Sequence, residues 1–381
     1  MHNEYPLSPE QIEINKVEKL IPNLNEKKKY VLYHKNLKQY LDLSLKLTKI
    51  HRGICFDEKA WLKPCIGLNT NLRSKAQNEF EKDFFKNFFF EKDFFKLMNN
   101  SVFGKTMENI RNRVNVRLVN NQKSLKKCAA NQNFDHCTVI DEDLVAVHMT
   151  KTELVFNKPV YLGMSILDFS KTLMHDFHYK YIKKKFSSKA NLLFTDTDSL
   201  CYEIETEDFF KDISTDDQEK FDTSNFSLNH ASSIPIGINK KVLGKFKDEA
   251  GGEIITEFVG LRAKLYAIKK FVGEEEKKCK GVKRNVIRNK ISFNDYKDVL
   301  FSGKEVLRAM NVIRSRQHNL STEQLNKMAL SLLVTTNVSS GLTKYKLFLK
   351  DTGQADNATG CLAKGTGWDM RGTDLGQNGT G

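Results

Sequence analysis

Apolar and polar residues alternate between Ser199 and Glu205, and a short apolar run at 190–194 precedes them. A period of two is typical of a half-buried strand. The residues between the two segments are Asp196-Thr197-Asp198, and aspartate is common in turns. The pattern therefore predicts a β-hairpin over 191–205 with both aspartates at or beside its tip. The predicted buried face consists of Leu200, Tyr202 and Ile204, and the opposite face of Cys201, Glu203 and Glu205.

Apolar residues recur at helical spacing in three other regions. Residues 35–48 are predicted to form an amphipathic helix. Between 61 and 111 helix formers dominate, which predicts a pair of long helices, and 163–186 return to helical spacing and end in three lysines. The apolar face of the first of these helices is predicted to consist of Leu37, Tyr40, Leu41 and Leu45.

The second helical region contains a duplication. The heptapeptide FEKDFFK occurs at 80–86 and again at 90–96. A shift of ten residues advances an α-helix by nearly three turns, so both copies keep almost the same face. We interpret the duplication as a local insertion that lengthens a helix, and not as a repeat architecture.

The remaining segments differ in their composition. Residues 114–119, 153–162 and 241–268 are rich in β formers and are predicted to form strands. Residues 206–233 are acidic and polar, which predicts a surface excursion. The last 31 residues hold eight of the 21 glycines and few apolar side chains, which predicts a disordered tail.

The net charge of the chain indicates which classes of partner it favours. Its 61 Lys and Arg residues outnumber its 47 Asp and Glu residues, for a formal net charge of +14. An excess of this size favours nucleic acid or an anionic surface as a partner, although a basic protein without such a partner has the same composition. The segment 277–290 carries seven basic residues in fourteen.

The cysteines argue against a disulfide framework. All seven are scattered, and no C-x-x-C pair occurs, which favours a reducing, intracellular compartment. The spacing of Cys128, His136, Cys137 and His148 matches no zinc-site pattern. The first residues lack the features of a signal peptide, and no apolar run approaches the ~18 residues of a membrane span.

The two aspartates at the predicted tip suggest metal chemistry. Mg²⁺ prefers hard oxygen ligands and completes its coordination with waters and substrate phosphates. In two-metal phosphoryl transfer the ions clamp the attacking and leaving oxygens. Asp196 and Asp198 are therefore candidate metal ligands. An isolated Asp-x-Asp sequence is more often only a turn.

A second candidate group lies at the end of the predicted helix pair. Lys96, Asn100 and Phe103 are spaced i, i+4 and i+7, so they share one helix face. A cation, an amide and an aromatic ring aligned in this way suit a triphosphate, a sugar and a base. The same spacing also describes an ordinary half-buried helix face.

Together the two motifs resemble those of family B DNA polymerases. The fingers helix of that family carries K-x₃-N-S-x-Y-G, which here spans Lys96 to Gly104, and its palm hairpin carries Y-x-D-T-D-S, which here spans Phe194 to Ser199. Both family tyrosines are phenylalanines in this chain, so any hydrogen bond from those hydroxyls is lost. Further stretches, among them LTKIHRG and EFVGLRAKLYAI, are similar to the protein-primed branch found in Maverick/Polinton-type DNA transposons and related viruses.

The resemblance implies a reaction and a metal site. A primer 3′-hydroxyl attacks the α-phosphate of a deoxynucleoside triphosphate and releases pyrophosphate. Two Mg²⁺ ions serve as cofactors, with Asp198 as a ligand and Asp196 beside it. Lys96 would neutralise triphosphate charge, Asn100 would position the nucleotide, and Phe103 would lie against its sugar or base. The implied nucleotide-binding set is Lys96, Asn100, Ser101, Phe103 and Gly104.

A third match concerns the primer strand. The segment Leu261–Tyr266 resembles the K-x-Y segment of the family, which implies that Lys264 and Tyr266 hold the primer near its terminus. Nearby basic residues predicted to contact DNA are Lys280, Lys283 and Arg284. The expected partners are primer-template DNA, deoxynucleoside triphosphates and a terminal priming protein, in the nucleus or at a viral replication site.

The fold that the resemblance implies is α+β, a partial polymerase right hand with fingers helices, a palm of antiparallel sheet and helices, and a small thumb. The implied divisions are an upstream palm remnant at 1–57, fingers helices at 58–112, a palm at 113–255, a thumb and primer-binding region at 256–330, and a divergent Gly-rich tail at 331–381.

One family motif has no counterpart in this sequence. Family B polymerases also bind the metals through an aspartate in a D-x₂-S-L-Y-P motif ahead of the fingers helix. The nearest stretch, Asp42 to Leu45, has the wrong spacing and is followed by Lys46 where tyrosine is expected. The family's exonuclease domain, which would carry a D-x-E of its own, has no counterpart in this sequence either. We therefore expect the C-terminal part of a polymerase, whose activity needs further sequence. The alternative is a catalytically inactive, nucleic-acid-binding remnant of a transposon polymerase.

Overall fold

Helices and several small sheets, mostly antiparallel, make up the chain, so the α+β class is confirmed. The computed structural model describes residues 3–14, 17–57, 59–75, 88–196, 198–214, 220–227, 234–240, 242, 244–262, 264–316, 319–332, 346–349 and 361–365. Within these ranges, no helix combines the length and the apolar content needed to cross a bilayer. The arrangement of a polymerase right hand stays a prediction.

The helices and strands are distributed along the whole described chain. The helices are α1 (His34–Asp42), α2 (Lys63–Lys75), α3 (Phe88–Thr106), α4 (Gln122–Ala129), α5 (Val160–His175), α6 (Lys183–Phe186), α7 (Phe209–Ser214), α8 (Arg284–Lys290) and α9 (Phe293–Ser302). The strands are β1 (Ser8–Ile14), β2 (Val17–Asn23), β3 (Asn115–Val119), β4 (Phe134–Asp141), β5 (Leu144–Met149), β6 (Ala190–Asp196), β7 (Ser199–Ile204), β8 (Phe221–Asp222), β9 (Phe246–Asp248), β10 (Ile255–Arg262), β11 (Leu265–Lys270), β12 (Glu275–Cys279), β13 (Val306–Arg316), β14 (Asn319–Leu330), β15 (Lys346–Leu349) and β16 (Cys361–Gly365).

The first helix differs from its prediction in length and in its buried face. α1 ends at Asp42, because Ser44 adopts a left-handed backbone conformation with φ 69° that stops the helix. Its buried side includes Asn36 and Gln39, whereas Leu41 is exposed. The Gln39 side-chain N–H donates to the Thr172 carbonyl at 2.7 Å, so this buried donor has a partner on α5. The predicted apolar face is therefore confirmed for Tyr40, which is buried, and wrong for Leu41, while Leu37 and Leu45 are half-buried.

The predicted pair of helices between 61 and 111 is confirmed. α2 and α3 pack together, and the Asn69 side chain donates to Asn99 Oδ1 at 2.9 Å. The second copy of the duplicated heptapeptide lies within α3, and the first copy lies outside the described residues. The next region is a small sheet of order β3-β5-β4, whose apolar contacts with α4 include Val119 and Val147.

A single long helix runs through the middle of the chain. α5 continues through a π-helical turn at Asp176–Ile182 into α6, which confirms the helix predicted for 163–186. The strand predicted for 153–162 is wrong, because residues 153–159 have no regular structure and the helix begins directly after Pro159. Proline favours this position because its fixed φ suits the start of a helix and its missing N–H costs nothing there.

The sheet that carries the predicted hairpin has the strand order β6-β7-β16-β9-β8, and only the pair β8–β9 is parallel. Its core combines the long helix, the hairpin and part of the predicted surface excursion. The prediction for 206–233 is wrong for Phe209, Ile213, Phe221 and Phe226, which are buried in this core. Their acidic neighbours dominate the composition, while the aromatic rings provide the packing.

A second sheet of order β12-β11-β10-β15 packs against α9. Strands were predicted over 241–268, and β9, β10 and β11 confirm them. β13 and β14 then form a hairpin of eleven and twelve residues, about 36 Å long at ~3.3 Å per residue. In the predicted tail, β15 and β16 are paired strands, which differs from the expected disorder, and most of the remainder lies outside the described residues.

A buried hydrogen bond connects the long helix to the hairpin. His178 Nδ1, in the π-helical turn, lies 2.9 Å from the Tyr202 hydroxyl on β7, and His178 Nε2 lies 3.1 Å from the Asn3 carbonyl. Tyr202 is 1% exposed. The hairpin is therefore fixed to the helix by a specific polar contact as well as by apolar packing.

We expect Tyr202→Phe to lower the free energy of unfolding by about 1–3 kcal/mol, because it removes the hydroxyl and leaves His178 Nδ1 buried without this partner. The measurement is urea unfolding followed by circular dichroism. Tyr5→Phe is the control, since Tyr5 is half exposed and its change should stay within about 0.5 kcal/mol. Equal stability of the two variants would contradict the expected contribution of the contact.

Candidate functional site

The hairpin predicted from the alternating pattern is confirmed. β6 and β7 are antiparallel, and their last paired residues are Asp196 and Ser199. Asp196 therefore ends one strand and Asp198 lies immediately before the next, which brings both carboxylates to the same end of the hairpin. Both residues are half-buried, and Asp198 Oδ2 is shielded from solvent. The residue between them, Thr197, lies outside the described residues.

An aromatic stack joins this hairpin to the second sheet. The Phe194 ring, two residues before Asp196, stacks on the Tyr266 ring of β11 with their centroids 4.4 Å apart and their planes inclined by 29°. It also stacks on Phe258 of β10 at 5.6 Å. A register shift between Leu192 and Phe194 interrupts the regular alternation of β6 just before the stack. The palm-type and primer-type motifs thus meet through their aromatic residues.

Negative charge gathers around Tyr266. Burial raises the pKa of the Tyr266 phenol, and the carboxylates of Glu276, Asp196 and Glu249 raise this pKa further. The hydroxyl therefore stays protonated across the physiological range and can act as a hydrogen-bond donor. The effect of Asp196 on this pKa places its carboxylate within electrostatic range of the Tyr266 hydroxyl, so these two predicted site residues belong to one environment.

Lys264 lies at the tip of the β10–β11 hairpin in a left-handed backbone conformation, with φ 60°. Its carbonyl accepts a hydrogen bond from the Lys280 amide at 3.1 Å, so two lysines of the predicted DNA-binding set are neighbours. Lys283 caps α8 and Arg284 is its first residue. Among the predicted residues, Lys264, Lys280, Lys283 and Arg284 are therefore brought to one region.

Sequence patterns missed two further cations in this region. The Lys327 ammonium of β14 lies beside Gly281, because a Cβ added to that glycine would approach Lys327 Nζ to 2.8 Å. Arg262 and Lys327 both act electrostatically on the Cys279 thiol. We call Arg262, Lys264, Lys280 and Lys327 the cationic cluster, and all four are exposed. Lys327 is 47 positions from Lys280 and belongs to no motif, so only the fold identifies it.

Ion pairs with glutamates compensate the charges of two lysines in the predicted basic run. Lys277 forms an ion pair with Glu275 at 2.9 Å, and Lys278 forms one with Glu276 at 3.0 Å. The segment 277–290 is therefore not a uniform basic surface, because the acidic residues that precede it along β12 compensate its first members.

The nucleotide-binding candidates lie on α3. Lys96, Asn100 and Phe103 are half-buried, whereas Ser101 and Gly104 are exposed. The Ser101 hydroxyl donates back to the Met98 carbonyl at 2.9 Å, as serine commonly does within helices.

The long helix connects this face to the hairpin. At its start, Gly163 faces Met107, which follows α3, so closely that an added Cβ would lie 2.3 Å from the Met107 sulfur. At its other end, His178 bonds with Tyr202 of the hairpin. Gly163 and His178 are 15 positions apart, about 22 Å along a helix at ~1.5 Å per residue. The two candidate groups thus contact one continuous helix at two points along its length.

The carboxylate oxygens at the end of the hairpin are suitable ligands for a hard divalent cation, but they account for only part of its coordination. Asp196 and Asp198 provide carboxylate oxygens, which Mg²⁺ prefers, and this ion is usually bound by one or two carboxylates together with substrate phosphates. Among the residues that the structure describes, no group of three or more His, Cys, Asp or Glu side chains could hold a metal ion. At the hairpin end the described residues therefore offer two carboxylates as candidate ligands.

The similarity of the chain to known proteins was tested in three ways. Comparison with protein-family models, with curated proteins and with solved structures found no match.

Proposed function

We propose that this chain is the fingers, palm and thumb part of a template-directed DNA polymerase of family B, which adds deoxynucleotides to a primer 3′-hydroxyl. The observation that carries the proposal is the stack of Phe194 on Tyr266. It brings the Asp-x-Asp hairpin and the K-x-Y segment together, although about 70 residues separate them. A catalytic hairpin that meets a primer-binding segment is what nucleotidyl transfer requires.

In this proposal the carboxylates of Asp196 and Asp198 hold Mg²⁺ at the end of the hairpin. The bound ions supply charge stabilisation for the attacking and leaving oxygens of a phosphoryl transfer. The chain contributes positioning: β6 and β7 fix the two carboxylates, and the Phe194 stack fixes Tyr266 beside them. Positioning and preorganised charge provide most of the catalysis in reactions of this kind.

The α3 face would bind the incoming nucleotide. Lys96 would meet its phosphates, Asn100 its sugar, and the Phe103 ring its sugar or base. The phenylalanine at 103 provides apolar contact without a hydroxyl, so this position discriminates by shape alone. The contact of Gly163 with Met107 holds α3 against the long helix, and that helix supports the hairpin.

The cationic cluster and the β13–β14 hairpin would hold the DNA backbone. The cluster lies where the β10–β11 tip, the turn after β12 and β14 meet, next to Tyr266 on β11. One face of the β13–β14 hairpin carries Arg308, Arg314, Arg316 and Lys327 together with Glu323, whereas the opposite face of its register carries no charged side chain. Glu323 pairs with Arg314 at 3.5 Å and with Arg316 at 3.7 Å, so the face keeps a net positive charge that suits contact with phosphates.

We expect the quadruple variant Arg262→Ala/Lys264→Ala/Lys280→Ala/Lys327→Ala to bind primer-template DNA more weakly at low salt. The slope of log affinity against log salt should become shallower by roughly 0.7–0.9 for each phosphate contact that is lost. The measurement is fluorescence anisotropy of a labelled primer-template over a salt series.

The matched control is Lys277→Ala/Lys278→Ala, because both lysines are already paired with glutamates. This control should keep the affinity and the salt slope of the parent chain. Equal slopes for the quadruple variant and the parent would show that the cationic cluster does not contact phosphates.

A second candidate function is that of a nucleic-acid-binding protein without catalysis. The observation that favours it is the presence of only two carboxylates in the described metal site, where a polymerase uses one more. Both candidates predict salt-dependent DNA binding. Primer extension separates them, because only the polymerase can gain activity when the further carboxylate is supplied.

A further inference from the structure

Three exposed aromatic rings lie beside the end of α3. Phe156 is 64% exposed, Tyr161 is 59% exposed and Phe56 is 48% exposed, although rings of this size are usually buried. The rings of Phe56 and Tyr161 are neighbours with centroids 6.0 Å apart. The Arg111 guanidinium lies over the Phe156 ring, 4.7 Å from its centroid. We call these four residues the aromatic platform.

Local hydrogen bonds hold the segment that presents these rings. The Asn157 amide donates to the Val155 carbonyl at 3.0 Å, and the Val160 amide donates to the Lys158 carbonyl at 2.8 Å. The contact of Gly163 with Met107 then fixes the start of α5 against the residue that follows α3. The platform is therefore a fixed surface next to the nucleotide-binding face, and not an isolated loop tip.

The charge around the platform is positive. Glu108 is bound by Arg113 at 2.7 Å, by Lys105 at 3.0 Å and by Lys158 at 3.6 Å. Hydrogen bonds from Arg113 and Lys105 keep the pKa of Glu108 far below its usual value, so the carboxylate stays ionised. The neighbouring cations are Lys105, Arg111, Arg113, Lys151 and Lys158. This part of the surface thus has five cations, against the carboxylate of Glu108 and those of Asp57 and Glu153 next to the rings in the chain.

We infer that the aromatic platform binds single-stranded nucleic acid by stacking unpaired bases on Phe156 and Tyr161, while the neighbouring cations contact the phosphates. Exposed aromatic rings inside a positive surface are the combination that single-strand binding proteins use, and arginine adds cation–π contacts. A protein partner fits less well, because lysine is depleted in protein–protein interfaces. The inference goes beyond the proposed catalysis and holds whether or not the chain extends a primer.

The test compares two single strands with the same phosphates. Fluorescence anisotropy measures the binding of the full chain to a labelled oligothymidylate and to an abasic strand of equal length at one fixed salt concentration. Phe156→Ala should lower the affinity for oligothymidylate by about 5- to 150-fold, the equivalent of one stacked base, and leave the affinity for the abasic strand unchanged. Phe156→Trp should keep the affinity of the parent, because it keeps a stacking ring.

The matched control is Phe301→Ala, because Phe301 at the end of α9 is 70% exposed. It should bind both strands as the parent chain does. Equal oligothymidylate affinity for Phe156→Ala and the parent would overturn the inference. An equal loss on both strands would also overturn it, since stacking requires bases.

Sedimentation of the same proteins tests the competing explanation, in which this surface binds a second copy of the chain. A dimer of the parent chain that becomes a monomer in Phe156→Ala, with unchanged affinity for both strands, would assign the surface to a second copy of the chain. Failure of the catalytic proposal would look different: Asp198→Asn would have no effect on extension, while the dependence of strand binding on Phe156 would remain.

Discussion

Primer extension will be absent with the purified chain alone and will appear only when a polypeptide carrying a D-x₂-S-L-Y-P segment is added. Two divalent ions carry four positive charges, and Asp196 with Asp198 supply two negative ones. The sequence contains no D-x₂-S-L-Y-P segment, and among the described residues no group of three or more His, Cys, Asp or Glu side chains could hold a metal ion. A clamp with too few ligands holds its ions loosely, and electrostatic stabilisation depends on their position.

Within that mixture, Asp198→Asn should reduce extension by at least about 10²–10³-fold, the loss typical of removing one electrostatic element of a catalytic site. The amide keeps the size of the side chain and removes its charge, so the variant changes the ion site with little effect on packing. The measurement is extension of a labelled primer on a gel with Mg²⁺ or Mn²⁺ and all four deoxynucleotides.

Asp42→Asn is the matched control. Asp42 is an exposed aspartate at the end of α1, 4.0 Å from Lys180, and it belongs to the stretch closest to the expected aspartate motif. Its substitution should leave extension unchanged. Extension by the chain alone that disappears in Asp198→Asn would show that another carboxylate of this chain completes the site. No extension in any mixture would favour the inactive nucleic-acid-binding protein.

The hairpin was predictable because its pattern is local. Asp196 and Asp198 follow an apolar run and precede an alternating one, and a turn between two such runs leaves few other folds. The same alternation placed Cys201 on the polar face, yet this residue is 0% exposed. The reason is that the β10–β11 sheet packs on that face, and a packing partner 55 residues away leaves no trace in a period of two.

The predicted buried face of α1 differs from the observed one for a similar reason. The amides of Asn36 and Gln39 look like solvent-facing groups in the sequence, but both are buried against α5, where their N–H groups donate to Thr172. Likewise, the acidic composition of 206–233 gave no sign that Phe209 and Phe221 are buried. Composition reports average polarity, whereas burial depends on which side chains meet a partner.

In the candidate site, too, some residues were predictable from local motifs and others only from the fold. The resemblance supplied Asp196, Lys264 and Tyr266 one by one, but their proximity depends on the stack of Phe194 on Tyr266. Lys327 and Arg262 have no motif, and only the approach of β14 to the turn at Gly281 identifies them. Motifs indicate the type of chemistry, and the long-range packing decides which side chains share a site.

Phe258→Ala should lower the free energy of unfolding by about 3–5 kcal/mol, the range for removing a fully buried phenylalanine ring. Phe258 is 1% exposed and lies between the hairpin and the second sheet, where its ring stacks on Phe194 and tilts against Tyr266 with centroids 6.1 Å apart. The space around the ring is full: a Cβ added to Gly260 would lie 3.0 Å from two of its atoms. Urea unfolding measures the loss.

Phe271→Ala is the control for this change, because Phe271 is 76% exposed and its substitution should stay within about 0.5 kcal/mol. Phe258→Leu should cost less than Phe258→Ala, since the larger side chain leaves a smaller cavity. Loss of the Phe258 ring also removes one side of the stack that orients Tyr266 beside Asp196. A Phe258→Ala protein as stable as the parent would show that this ring does not contribute to joining the hairpin and the second sheet.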